Sequence, residues 1–140
     1  MSWTPYLLDQ EAQKLVLKYR DKKDVLGQSY KMRTTVAYGL ERFWGEHLRL
    51  RREKDTAKAQ YWKETWDAFE QIMKKAQVVI PNEPIPDNKD NTPAIEKMSA
   101  RLWNLKLEEQ RIALAVLTQL CDSLVWWTQR YKIKEKSSDG

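Results

Sequence analysis

The sequence predicts an all-α protein, a bundle of four or five helices with a proline-rich loop between the third and fourth. Two observations carry that prediction. Apolar residues recur at three- and four-residue steps through nearly the whole chain, and no run alternates with the period of two that a half-buried strand requires. The helical pattern also lapses conspicuously at one place, VVIPNEPIPDNKDNTP, where the prolines at 81, 84 and 86 remove backbone donors and disfavour helix at the residues before them. Internal repeats and a sustained heptad are absent. At 140 residues the chain makes a single domain spanning 1–140, long enough to bury a real core.

Each element has its own justification. Leu8, Ala12, Leu15, Val16 and Tyr19 share one helical face, which gives a first helix over roughly 5–21 with Pro5 in a tolerated first-turn position. Asp24 to Gln28, containing Gly27, forms the turn. A second helix runs from about Ser29 to Lys54, its apolar line being Val36, Leu40, Phe43, His47 and Leu50. Asp55 or Thr56 caps a third helix whose buried side is Tyr61 or Trp62, then Trp66, Phe69, Met73 and Ala76. Residues 78–92 read as an extended, mobile linker. Thr92 then caps a helix with Pro93 in its first position, and Ile95, Met98, Leu102 and Leu105 begin its stripe. Ile112, Ala113, Val116, Leu120, Leu124, Trp127 and Tyr131 continue that stripe, so 93–132 is either one helix or two broken near Leu107 to Gln110. The tail, 134–140, reads as frayed.

Composition excludes several classes. With 41% hydrophobic and 32% charged residues the chain is an ordinary soluble globular one. The longest apolar stretch, around Ile112 to Leu117, is far too short to span a bilayer, and MSWTPYLLDQEAQK is not a secretory leader, so the expected location is the cytoplasm without membrane contact. A single cysteine, Cys121, rules out an internal disulfide. Seven tryptophans are many for this length and are expected mostly as core or subunit-interface anchors. The net charge of +5 is uneven: residues 14–58 carry 13 Lys/Arg against 6 Asp/Glu, whereas residues 59–110 carry 7 against 9. Such asymmetry points to an anionic partner at one surface.

The positive excess concentrates on the second helix, opposite its apolar line. Lys31, Thr35, Tyr38, Arg42, Gly45, Arg49 and Arg52 follow one stripe, in which Arg outnumbers Lys and Glu41 and Glu46 lie to the sides. Arginine's planar fork suits phosphate bidentately. Glycine inside a helix costs up to about 1 kcal/mol relative to alanine, so Gly45 on this face hints at close approach by a strand or a neighbouring subunit. Lys14, Lys18, Lys22 and Lys23 extend the field from the first helix, and Lys97, Arg101 and Arg111 form a second, more acid-diluted line.

Motifs for chemistry are few. One His and one Cys far apart give no metal cluster, so neither a metal nor another cofactor is expected, and no glycine-rich loop cradles phosphate. Arg42-Phe43-Trp44-Gly45-Glu46-His47 is similar to the R-x4-H string of the higher-eukaryote-and-prokaryote nucleotide-binding (HEPN) ribonucleases, which implies RNA cleavage by Arg42 and His47. The string departs from that motif in having Phe43 after the arginine and in coming early in the chain, and His47 sits in the middle of an apolar face.

The order of elements resembles another family more closely. EAQKLVLKYR, a turn, SYKMRTTVAYGLERFWGEHLRLR and a closing AVLTQLCDSLVWWTQRYK are similar to the small helical subunit of type III CRISPR effector complexes, over the first 52 residues and the last 30. The resemblance implies a non-catalytic protein, not an enzyme, that stacks with copies of itself and with other subunits of the complex. Its basic helix faces would line the groove for guide RNA and target RNA. It carries nucleic-acid contacts over to Lys18, Lys31, Arg42, Arg49, Arg52 and Arg101, as phosphate positioning without base readout. Subunit interfaces fall to Trp44, Trp62, Trp66, Trp126 and Trp127. An unrelated nucleic-acid-binding helical adaptor would use the same stripe.

Overall fold

A computed structural model describes residues 7–132, and within them every regular element is helical. Six α-helices follow in order: α1 (Leu7–Tyr19), α2 (Gln28–Thr35), α3 (Leu40–Arg52), α4 (Thr56–Lys75), α5 (Thr92–Trp103) and α6 (Leu107–Tyr131), with a 3-10 turn at Val36–Tyr38 between α2 and α3. The all-α expectation holds, but the helix count exceeds the four or five read from periodicity. Pro5 and the 134–140 tail lie outside the described residues.

The extra helices come from two breaks. The predicted helix from Ser29 to Lys54 is divided at Gly39, whose φ of 103° and ψ of 171° belong to no helix and suit only a residue without Cβ. Its apolar line survives the break, since Val36, Leu40, Phe43, His47 and Leu50 are all buried. The second break falls at Asn104 to Lys106, just before the expected position. There the Gln110 side-chain amide donates to the carbonyls of Leu105 and Trp103, at 2.7 and 3.3 Å, and so satisfies acceptors that the end of α5 leaves over. Ile112, expected in the stripe of this last helix, is exposed; the buried line of α6 is Ala113, Leu117, Leu120, Cys121, Leu124 and Thr128. Asp55 stands at the N-cap of α4 as expected, whereas α5 begins at Thr92 with Asn91 in the capping position, and no side-chain cap bond forms at either helix.

Packing follows from the buried faces. α1 lies along α6, α3 along α4, and α2 joins them by contacting α6 and α4. Between the layers sits an aromatic core: Phe43 meets Trp62 at 4.9 Å and Trp66 at 6.1 Å between ring centroids, and Trp66 meets Phe69 at 5.1 Å. A polar thread crosses it. Ser29 Oγ lies 2.6 Å from Tyr61 Oη and 2.7 Å from Thr128 Oγ1, and the Trp62 indole donates to Gln28 Oε1 at 2.8 Å, so the buried polar groups of α2 are satisfied by α4 and α6.

Residues 78–91 contain no helix, yet they are not the mobile connection the sequence suggests. Val78, Ile80, Pro81 and Ile85 are buried. Trp66 Nε1 donates to the Pro81 carbonyl at 3.1 Å, and the Arg51 guanidinium donates to those of Ile85 and Pro86 at 2.9 and 3.4 Å. Asn82 closes the docking through Asp67 and Glu70. Proline removes donors but leaves carbonyls, and α3 and α4 supply the donors for them.

Candidate nucleic-acid interface

The break at Gly39 decides how the predicted stripe is distributed. Lys31 belongs to α2, while Arg42, Arg49 and Arg52 lie on α3, so the seven positions are not one continuous helical face. On α3 the outward side exists because Leu40, Phe43, Trp44, His47 and Leu50 commit the other side to α4. Arg42 and Arg52 sit about 15 Å apart along the helix axis, at 1.5 Å per residue.

The six predicted phosphate contacts fall into two groups. Lys31, Arg42 and Arg52 are exposed, and no carboxylate among the described residues comes within ion-pair distance of them. Arg42 instead holds its guanidinium 5.7 Å from the centre of the Tyr38 ring, a cation–π arrangement that leaves its charge uncompensated. Lys18, Arg49 and Arg101 are engaged. Lys18 pairs with Glu64 of α4, and Arg101 with Glu83 of the proline-rich segment. Arg49 is held on two sides. Its Nε and Nη2 each donate to a Glu46 oxygen at 2.8 Å, and its Nη1 donates to Glu53 at 3.0 Å. The hydrogen bonds that Arg49 donates to Glu46 raise its pKa further, so its charge is permanent but locally cancelled. Acids thus stand within the stripe at Glu46 and Glu53.

Within the chain itself nothing requires the glycine at position 45. A Cβ placed there meets only Glu41 Oε2, at an ordinary 3.8 Å.

The Arg42 and His47 pair does not converge. Arg42 points to solvent, whereas His47 is buried, with Nδ1 on the carbonyl of Trp44 and its ring edge-on to that indole at 5.6 Å. Because the Trp44 carbonyl only accepts, the proton resides on Nδ1. Burial, with a smaller contribution from the cations Lys63 and Arg51, pulls the imidazole pKa down to about 4. Burial likewise pushes the Cys121 thiol far above its ordinary range. Among the described residues no group of His, Cys, Asp and Glu gathers as a metal site, and no helix is long and apolar enough to cross a membrane.

The predicted interface tryptophans also divide. Trp44, Trp62 and Trp66 are 1%, 1% and 0% exposed, so they are core residues with no surface to offer another subunit. Trp126 is half exposed and Trp127 partly buried; their rings meet edge-on at 4.9 Å, and Arg130 lies 5.5 Å and 5.6 Å from them.

Sequence reasoning missed a cleft of about 370 Å³ where the start of α3, the end of α5 and the first turns of α6 meet. Tyr38 and Trp103, 68% and 67% exposed, border it together with Glu41, Arg42 and Gln110. Trp103 carried a readable signal: it falls off the buried line of Met98 and Leu102 on its own helix. Comparison with protein-family models, with curated proteins and with solved structures finds no match to this chain.

Proposed function

We propose that the protein is a non-catalytic, RNA-binding helical subunit that holds a strand by its phosphates, as the resemblance to the small subunit of type III CRISPR effectors implies. In that reading it works in the cytoplasm, beside guide and target RNA, and stacks with copies of itself and with other subunits of the complex. The observation that supports it best is that three of the six predicted contacts, Lys31, Arg42 and Arg52, are exposed with no carboxylate partner among the described residues, in the part of the chain that carries the charge excess. Exposed charges facing solvent cost little to keep but gain strongly from a polyanion, because each phosphate contact releases condensed counterions. Lys18, Arg49 and Arg101 are supporting contacts at most, since RNA would have to compete with Glu64, Glu46 and Glu83 for them. For stacking, Trp126 with Trp127 is what remains of the predicted interface tryptophans.

Replacing Lys31, Arg42 and Arg52 together by Ala, in fluorescence anisotropy with a single-stranded RNA, should weaken binding and reduce the slope of log Kd against log salt by about 2, at roughly 0.7 per lost contact. An unchanged slope would remove these residues from the interface. The ribonuclease reading requires RNA to reach His47 through the core of α3 and α4, and intact RNA after incubation with the purified chain would dismiss it.

A further inference from the structure

We propose that the cleft beside Gly39 is a binding site for one unpaired nucleobase, of a kind that carries an exocyclic amino group. The proposal rests on the RNA-binding reading and adds a base contact to the phosphate contacts.

The cleft has the volume of a small-ligand site, whose usual range is about 300–1,000 Å³. Tyr38 and Trp103 border it with more than two thirds of their surface in solvent, although the other large aromatic side chains of the fold are mostly packed away. Exposed rings at the rim of a cavity offer stacking area to any planar group, and stacking of bases on such rings is tolerant of sequence. Arg42 sits over one face of Tyr38, 5.7 Å from the ring centre, and so places a cation beside the cleft for the phosphate attached to a bound base.

Charge selects the occupant. Glu41 is a wall of the cleft, so a bare phosphate entering it would meet a carboxylate. Arg42 in turn disfavours a lysine or arginine side chain from a protein partner. A neutral planar group with hydrogen-bond donors satisfies both. Glu41 accepts from Ser99 through Oε2 at 3.0 Å, and its Oε1 has no donor among the described residues. Gln110 spends its amide N–H groups on the end of α5, which leaves its Oε1 as an acceptor. Two side-chain acceptors match the two N–H donors of the amino group of cytosine, adenine or guanine, whereas uracil offers only its single ring N3–H.

The test uses the whole chain with labelled single-stranded oligomers of cytidine and of uridine and with an RNA duplex. The Tyr38→Ala/Trp103→Ala variant should lose about tenfold or more in affinity for oligocytidine, with the salt slope and duplex binding unchanged. Trp103→Phe should keep most of the affinity, and Glu41→Gln, whose amide oxygen still accepts from Ser99, should erase the preference of cytidine over uridine. Unaltered oligocytidine binding in Tyr38→Ala/Trp103→Ala, alongside weakened binding in Lys31→Ala/Arg52→Ala, overturns the base site and leaves the phosphate reading standing. If the unmodified chain binds none of the three RNAs, both readings fall.

Discussion

Gly39 and Gly45, six residues apart, should respond oppositely to the same substitution. At Gly39 a Cβ would touch nothing within 4 Å, so Gly39→Ala adds no clash, and its whole cost is the backbone conformation at φ 103° and ψ 171°. Holding an L-residue there costs about 1–3 kcal/mol, offset by about 0.4–1 kcal/mol because alanine restricts the unfolded chain. A net loss of about 1–2 kcal/mol is expected. At Gly45 the backbone is helical and the nearest atom is Glu41 Oε2 at 3.8 Å, the far end of a flexible side chain. There Gly45→Ala should gain about 0.5–1 kcal/mol from helix propensity and lost unfolded-state freedom. Urea unfolding followed by far-ultraviolet circular dichroism, with equal m-values for the variants, measures both, and the two should differ by about 2 kcal/mol or more. Equal stability of the two variants would refute the break and restore a continuous helix from Ser29 to Lys54. RNA binding that falls in Gly45→Ala would support a close approach by the strand at that position.

Two further outcomes test the core. Since the His47 pKa is lowered from 6.5 to about 4, the unfolded chain takes up a proton before the folded one does. Its contribution to stability is therefore complete above the unfolded value and is lost as pH falls from there toward the folded value, by about 2 kcal/mol at about pH 5. Denaturant titrations across that window should show the loss in the unmodified chain and a flatter profile in His47→Gln. Ser29→Ala removes the hydroxyl shared by Tyr61 and Thr128 and should cost about 1–3 kcal/mol by stranding buried oxygens. In a double-mutant cycle with Tyr61→Phe the two changes should be non-additive, and simple additivity would mean that the thread does not act as a unit.

What the sequence made legible was the burial pattern, because apolar spacing reports which side of a helix faces the core whatever happens to the backbone between turns. Val36 and Leu40 stand four apart and are both buried, so their spacing gave no warning that Gly39 separates a 3-10 turn from a new helix. The glycine itself was the only local sign. The pairing of Arg49 was readable in principle, with glutamates three residues before and four after it on the same helix. The pairing of Lys18 with Glu64, and of Arg101 with Glu83, was not, because it depends on which helices become neighbours. The same limit applies to the tryptophans. Trp62 and Trp126 look alike as letters, and only the packing of α4 between α3 and α1, against the outward side of α6, decides that one is core and the other surface.

The residue that spoils the continuous basic stripe is also the one that makes the cleft. A helix running unbroken past position 39 would carry Tyr38 and Arg42 four residues apart on one smooth face, with their rings and charges spread along a rod. The turn at Gly39 instead ends the 3-10 segment at Tyr38 and starts α3 at Leu40, so that Tyr38, Glu41 and Arg42 meet Trp103 and Gln110 around a concave space. Phosphates are met by exposed cations on convex helix surfaces, and bases need a recess with rings at its edge. Lys31 and Arg52 belong to the first kind of surface and Trp103 to the second, with Arg42 at the boundary of both. For that reason Arg42→Ala should impair RNA binding more than either Lys31→Ala or Arg52→Ala does. Three equal effects would mean that the cleft contributes nothing to the strand.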